Sequence, residues 1–390
     1  MGKRPLPGTK ATHTARKICM ENPASKAAHA ICMKKPASKV PVPKAHAKPL
    51  LAYASDCSGL DGAAFALQRL GINYVHLWGS ENNPKYRAIF KANHPDCELV
   101  EEDVCARDFK TLKDKYRPGL IDIYTSGFPC QSWSRMGDRS GINDSKGRGL
   151  VGYSVLRTIK EMEPVLFILE NSGELASKTH KDFFDDFLGK LGAGQKYHVI
   201  WNRLNSLEYG GVPASRDRVY IVGLRTDKLR SDPAWPCRIP HSPLKSILSN
   251  NAPKINIDTL NFTQLRNICE GTEKVMQKKV SGTTPPGEPV FDVGMSPAFG
   301  VGVTWGHLPA ITKSRAPRGF WLPDRQRFTT LDEIAKGQGF RVGEVTQPKG
   351  TPSSTIAQMY GNSFTVTMFE RLFAQFLPCV GLVGKVKDPY

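Results

Sequence analysis

The run Leu120-Ile121-Asp122-Ile123-Tyr124 leads into Ser126-Gly127-Phe128-Pro129-Cys130. It is apolar enough to be a buried strand, and it stops at a serine–glycine pair. Pro129 then fixes the backbone immediately before the cysteine. A thiol is thereby presented at the carboxyl end of a strand, the edge at which open α/β sheets hold their ligands. Taken alone, such a cysteine is more often a buried structural residue. Its meaning rests on the order and spacing of the segments around it.

Leu50-Leu51-Ala52-Tyr53-Ala54-Ser55 reads as a first strand. It runs into Asp56-Cys57-Ser58-Gly59-Leu60-Asp61-Gly62, and an apolar-periodic helix follows from Ala63 to Leu70. Strand, glycine turn and helix form the cofactor-cradling unit of α/β sheets, because glycines allow close backbone approach and the helix start offers free N–H groups. A second strand, Tyr74 to Gly79, ends at Glu81, 19 residues past Gly62. An acid at that offset commonly takes the hydroxyls of a bound ribose. A third unit ends in Glu101-Glu102-Asp103. The pattern predicts a nucleoside cofactor without separating a dinucleotide from S-adenosylmethionine. The bland alternative is an ordinary tight turn and a solvated Glu81.

Beyond Cys130, Gly141-Ile142-Asn143-Asp144-Ser145-Lys146-Gly147-Arg148-Gly149 is too polar and glycine-rich for a core, and suits a loop that folds over a substrate. A helix is expected over Val151–Met162. The next apolar strand, Pro164 to Leu169, ends in Glu170-Asn171, which puts a carboxylate at the same ligand edge. A capping or structural acid is the alternative. Residues 174–191 look helical and Lys196–Leu204 looks like a strand. In Ala214-Ser215-Arg216-Asp217-Arg218-Val219-Tyr220 the two arginines share one face of a strand, since side chains repeat every two residues. Two guanidiniums on one face suit a phosphate or a polarised base edge, or else decorate a solvated edge strand.

The 390 residues suffice for one large domain and a smaller one. No apolar run reaches membrane-spanning length and no signal-peptide pattern opens the chain. Nine scattered cysteines without a Cys-X-X-Cys pair argue against a disulfide framework or a metal site, and for a reducing compartment. The net charge of +18 implies an acidic partner, and +10 of it lies in residues 1–49. Those residues are Lys-, Pro- and Ala-rich, with too little apolar surface to offset the entropy of ordering, and are expected to be disordered. Ile18-Cys19-Met20 recurs at Ile31-Cys32-Met33, too close for a solenoid unit. Such a tail suits added phosphate contacts or a nuclear address; a solubilising extension or transit peptide is the alternative.

From about Arg225 the patterning weakens. Residues 226–304, with a loop-like Ser281–Gly300, read as a small inserted domain between a catalytic domain of 50–225 and its completion in 305–390. Thr330 and Glu333 fit a capping box, and Gly361-Asn362-Ser363 precedes a terminal helix from Phe364 to Phe376.

This ordered set resembles the cytosine-5 DNA methyltransferase family over residues 50–225 and about 305–390. Gly127-Phe128-Pro129-Cys130-Gln131 looks like the family's nucleophile loop, and Glu170-Asn171 like its Glu-Asn motif. Arg216 and Arg218 match its Arg-X-Arg pair. Gln338-Gly339-Phe340 and Gly361-Asn362-Ser363 match its two late motifs. The resemblance implies an α/β, Rossmann-like S-adenosylmethionine-dependent methyltransferase sheet with helices on both faces, and a target-recognition role for the insert. It implies a DNA duplex as partner, with the target cytosine flipped out of the stack.

By the same resemblance, Cys130, Glu170, Arg216 and Arg218 are the catalytic set. Cys57, Ser58, Gly59, Leu60, Gly62, Glu81, Asn82, Asp103, Val104, Asn362 and Ser363 are expected around the cofactor. Pro129, Gln131, Ser132, Ser134 and Asn171 belong to the substrate loop and its support. Neither a metal nor a membrane is implied. The chain departs from the family at two points: the first motif, usually Phe-X-Gly-X-Gly, is Cys57-Ser58-Gly59-Leu60-Asp61, and Ala214 stands where the family has Gln. The Pro-Pro-Cys and Cys-Phe-Thr signatures of the tRNA-modifying branch are not present. An RNA cytosine-5 methyltransferase and a non-catalytic nucleic-acid-binding relative are the competing readings.

Overall fold

The computed structural model describes residues 50–129, 150–295 and 300–390. The expected disorder of residues 1–49 and the glycine-rich loop 141–149 lie outside the described residues.

Apolar runs build the main sheet, and its central strands are buried on both faces. Its strands are β1 (Leu51–Asp56), β2 (Tyr74–Ser80), β3 (Leu99–Glu101), β4 (Ile123–Ser126), β5 (Leu166–Ser172), β6 (Tyr197–Asn205) and β7 (Asp217–Arg225). They lie in the order β3-β2-β1-β4-β5-β7-β6. All neighbours pair in parallel except β7, which runs antiparallel to both β5 and β6. Side chains alternate between two cores. Tyr53, Ile123, Ile168 and Val222 join the core under helices Gly62–Arg69 and Val366–Cys379. Their neighbours Ala54, Tyr124, Phe167 and Ile221 join the core under helices Phe109–Lys115, Val151–Met162 and Lys181–Gly192. This period of two, with both faces covered, is what a doubly wound parallel sheet requires.

Register sets the level of the strand ends. Asp56 of β1 pairs with Ser126 of β4, and Ser126 with Leu169 of β5. The segments that follow these three strands therefore leave the sheet at one edge. Because β7 is antiparallel, its beginning arrives at that same edge, with Arg218 opposite Ser172.

Several local expectations change. Residues 174–191 do not form one helix: short 3₁₀ turns occupy Gly173–Ala176 and Lys178–His180, and the α-helix is Lys181–Gly192. Ser172 explains part of this, because its hydroxyl accepts the Glu174 N–H and diverts the backbone locally. The weakly periodic insert contains a 19-residue helix, Phe262–Val280, begun by a capping box of Asn261 and Gln264. Its buried stripe is Asn267, Gly271 and Val275, so hydrophobic spacing gives no signal. Asn267 donates to the carbonyls of Val293 (2.8 Å) and Met295 (3.0 Å). Within the segment read as a loop lies β8 (Pro289–Asp292). With β9 (Gly302–Trp305), β10 (Trp321–Leu322) and β11 (Arg327–Phe328) it forms a second sheet, which takes residues from both sides of position 304. The Thr330–Glu333 capping box is present, and Glu333 also pairs with the buried Arg327.

A buried ion cluster secures the end of β1. Arg107 donates to both oxygens of Asp56, at 2.7 and 2.6 Å, and pairs with Glu101 at the end of β3. Tyr124 and Trp78 also donate to Asp56, at 2.5 and 3.3 Å. Removing one member of such a group leaves buried charge uncompensated, which costs about 3–5 kcal/mol. Arg107→Met is thus expected to lower unfolding free energy by about that amount. The check is the urea midpoint, and an unchanged midpoint refutes the assignment.

Candidate active site

The loop after β1 takes an unusual path. Cys57, Gly59 and Asp61 all have positive φ, at 54°, 55° and 56°. Asp61 occupies the second glycine position of the expected motif and adopts the left-handed conformation a glycine adopts readily. For another L-residue this costs roughly 1–2 kcal/mol, and Asp tolerates it by bonding locally. Its carboxylate accepts the Ala64 N–H and caps helix Gly62–Arg69. It also accepts Tyr53 Oη at 2.6 Å and Ser55 Oγ at 2.7 Å. His76 lies 3.6 Å away, and burial pushes its pKa down to about 4, so the ring is neutral. The departure from the family pattern is therefore built into a buried polar network beneath the loop.

The cofactor candidates gather around this loop. Ser58 Oγ accepts the Ser80 N–H at 3.2 Å, and Ser80 Oγ accepts the Cys57 N–H at 3.2 Å, tying the turn to the end of β2. Glu81 follows β2. Burial raises its pKa, against the N–H groups of Asn83 and Gly59 and the charges of Lys313 and Arg87. Asn82 is exposed beside it, and Leu60 is buried. Burial likewise raises the Cys57 thiol pKa, aided by Asp56 and Glu81. Asp103 is exposed and caps a 3₁₀ turn by accepting the Cys105 N–H at 2.9 Å, with Val104 buried beside it.

The C-terminal motif returns to the same place. A Cβ on Gly62 would stand 3.1 Å from both Ser363 Oγ and the Phe364 carbonyl oxygen. A Cβ on Gly127 would stand 2.7 Å from the Phe364 ring. Ser363 Oγ is buried with no hydrogen-bond partner among the described residues, and Asn362 is exposed. Among the described residues nothing lies within 4 Å of the position of a Cβ on Gly59. A backbone cradle, a half-buried acid and a buried hydroxyl without a partner among the described residues fit a nucleoside that carries a charged amino-acid arm. Gln338 holds the returning segment by donating to the Tyr360 carbonyl at 2.8 Å.

The catalytic candidates converge partly within the described residues. Asn171 donates through Nδ2 to the Phe128 carbonyl at 3.1 Å, which couples the Glu-Asn motif to the loop carrying the thiol. Pro129 is the last described residue of that loop; Cys130, Gln131, Ser132 and Ser134 lie outside the described residues. Arg218 Nε stands 3.0 Å from Glu170 Oε1, and Arg216 3.6 Å from the same atom. The shared face holds even though β7 begins one residue after Arg216. The two arginines nevertheless differ in use. Arg216 is buried, and donates to the carbonyls of Ile311 (2.7 Å) and Gly361 (3.1 Å), clipping two distant segments together. Spacing alone gives no sign of that clip, nor of Asp61 as a hub. Among the described residues no cluster of three or more His, Cys, Asp or Glu side chains is placed to hold a metal ion.

Residues 53–377 match the family described as C-5 cytosine-specific DNA methylase. The Type II methyltransferase M.NgoPII of Neisseria gonorrhoeae is 32% identical over 178 residues, 46% of this chain and 48% of that protein. The Type II methyltransferase M.BbvI of Brevibacillus brevis is 28% identical over 319 residues, 74% of this chain and 81% of that protein. The first of these matches thus spans about half the relative's length. Among solved structures, the S. pombe Dnmt2 methyltransferase superposes with a TM-score of 0.55 at 15% identity, covering 85% of this chain and all of that one, which shows a shared fold.

The polar hub yields a stability test. Asp61→Ala removes a helix cap worth about 1 kcal/mol and two buried bonds to a carboxylate, and leaves alanine in the left-handed region. The expected loss is about 3 kcal/mol or more by denaturant titration. Asp61→Gly, freed of the backbone strain, is expected to lose less. Equal losses for the two variants refute the role of the left-handed backbone.

Proposed function

This chain belongs to the C-5 cytosine-specific DNA methylase family, and from that premise we propose that it transfers a methyl group from S-adenosylmethionine to carbon 5 of cytosine in DNA. The observation that carries the reading is the Asn171–Phe128 hydrogen bond. It joins Phe128, two residues before Cys130 in the sequence, to the residue next to Glu170, which supports a reading in which the segment leading into the nucleophile and the acid serve one site.

Carbon 5 of cytosine is a weak nucleophile. The Cys130 thiolate adds to carbon 6, and the ring's electron pair moves toward carbon 5. Glu170 supplies a proton or hydrogen bond at ring nitrogen 3 as that addition proceeds. Arg218 orients the Glu170 carboxylate and turns positive charge toward the base carbonyl. Arg216 acts as a positioning residue, since its Nη1 clips the Ile311 and Gly361 carbonyls while its Nη2 faces Glu170 at 3.6 Å. S-adenosylmethionine, when bound, supplies the electrophilic methyl group. The residues that would hold it are the Gly59–Gly62 backbone, Glu81 at the ribose, Asp103 and Val104 at the adenine, and Asn362 and Ser363 returning from the C-terminal motif. Cys57 takes the place of the family's phenylalanine. Loss of the carbon-5 proton to a base and elimination of the thiol complete the turnover.

A base inside a duplex is out of reach of a thiol, so the target cytosine is extruded, at a cost of a few kcal/mol. The second sheet and helix Phe262–Val280 form the target-recognition region in this reading. The family description specifies DNA, which disfavours an RNA substrate. The basic body adds a phosphate-binding term, so duplex affinity falls steeply with salt. The nuclear address considered for residues 1–49 rests on their Lys content alone, and the two curated relatives are bacterial. Among the described residues, no helix is long and apolar enough to cross a membrane.

Incubation with 5-fluorocytosine duplex DNA and S-adenosylmethionine is expected to trap a covalent adduct that survives denaturation and is absent from Cys130→Ser. An adduct on the Ser variant, or on transcribed RNA alone, overturns the proposal. Glu170→Gln is expected to lower kcat by about 10²–10⁴-fold in a label-transfer assay, because it removes the general acid.

A further inference from the structure

Helix Phe262–Val280 carries a second stripe, on the side turned away from the sheet it packs against. The side it sets on the second sheet is Asn267, Gly271 and Val275. A Cβ on Gly271 would stand 2.7 Å from the Phe291 ring, so the helix lies close on β8. At roughly 100° per residue, Phe262, Arg266, Cys269, Glu273, Met276 and Val280 fall within about 80° of one another on the opposite side. All six are exposed. Phe262 is 80% exposed, Val280 86% and Met276 53%. Single exposed apolar side chains are ordinary on a protein surface, but a row of them on one face marks a binding surface. Nine large apolar side chains are exposed among the described residues, and three of them stand in this row.

We propose that this stripe is a self-association surface, covered by the same stripe of a second copy of this chain in antiparallel orientation. The stripe is its own complement. A two-fold axis at Cys269 sets Phe262 of one copy against Met276 of the other, because each stands seven residues from Cys269. The same axis brings Arg266, three residues before Cys269, beside Glu273 of the other copy, four residues after it. That mismatch of one residue is about 1.5 Å along the helix, within the reach of an arginine side chain. Two pairs of opposite charge thus flank the central thiols, with an apolar contact outside each. A parallel arrangement would instead set Arg266 against Arg266 and Glu273 against Glu273, which like-charge repulsion opposes. The capping box and the close seat on β8 fix the stripe before a partner arrives, so little ordering entropy is lost on pairing. The helix has 19 residues. Its length of about 28 Å makes a small interface, of the kind that associates weakly.

The experiment is sedimentation velocity of the full-length protein, in reductant and without DNA, at concentrations from about 1 to 100 µM. The mean sedimentation coefficient is expected to rise with concentration toward that of a dimer. Phe262→Glu and Met276→Glu are each expected to weaken association by about tenfold or more. Arg266→Glu and Glu273→Arg are each expected to weaken it as well, and the double exchange to restore it, which a folding defect would not do. A short bis-maleimide is expected to join two chains through Cys269, with that product missing from Cys269→Ser. A species of monomer mass at every concentration overturns the proposal, as does a dimer that Met276→Glu and Arg266→Glu leave intact. A double exchange as weak as either single one overturns the antiparallel pairing. Loss of duplex DNA affinity in Met276→Glu at unchanged mass also overturns the proposal, and assigns the face to the duplex.

Discussion

The site depends on strand register. Asp56, Ser126 and Leu169 stand at one level in β1, β4 and β5, so the loop after β1, the segment that leads into Cys130 and the Glu170-Asn171 pair all leave the sheet at the same edge. A slip of one residue in any of these strands would turn its side chains to the opposite face and exchange the two cores. The register is held hard because both faces are buried. It is also held by charge: Arg107 joins the ends of β1 and β3 through Asp56 and Glu101. The proposed site, drawn from seven separated segments, needs this kind of fixed edge, since errors of about an ångström are expensive in catalysis.

The antiparallel β7 serves the same end. A parallel strand there would carry its N-terminal residues to the far side of the sheet. Reversed, β7 brings Arg216 and Arg218 to the ligand edge, within 3.6 and 3.0 Å of Glu170. The two guanidiniums then divide the work. Arg218 is left partly accessible beside the carboxylate, while Arg216 is absorbed into backbone clips. A pair that looks symmetrical in the sequence is asymmetrical in space, because only one of its members faces the returning C-terminal chain.

Much of this was legible in the sequence because apolar runs with abrupt polar ends are the strongest local signal a chain gives. The apolar runs that stop before Asp56, Ser126 and Glu170 stand out for that reason, and so does the Thr330 cap. What was not legible depends on contacts between residues far apart. Helix Phe262–Val280 buries Asn267, Gly271 and Val275, a stripe in which polar satisfaction and close approach replace hydrophobic spacing. Asp61 looks like a defect in a glycine motif until Tyr53, Ser55 and Ala64 are seen to converge on it. The Arg107 cluster joins residues up to 68 positions apart, and no local pattern encodes it.

The late motifs close the argument about why one chain must build this site from both its ends. Gly62 begins the first helix, and Ser363 and Phe364 pack against it so closely that a methyl group would touch both. The Phe364 ring also fills the space beside Gly127, ahead of the thiol loop, and stacks on Phe369 at 4.3 Å. One aromatic residue from the C-terminal segment thus packs against the turn after β1 and the segment after β4 together. Glycines at 62 and 127 are required by that approach rather than by a turn. The cradle, the loop and the clip at Gly361 are therefore one packed unit, and none of the three can be set in place before the chain has returned.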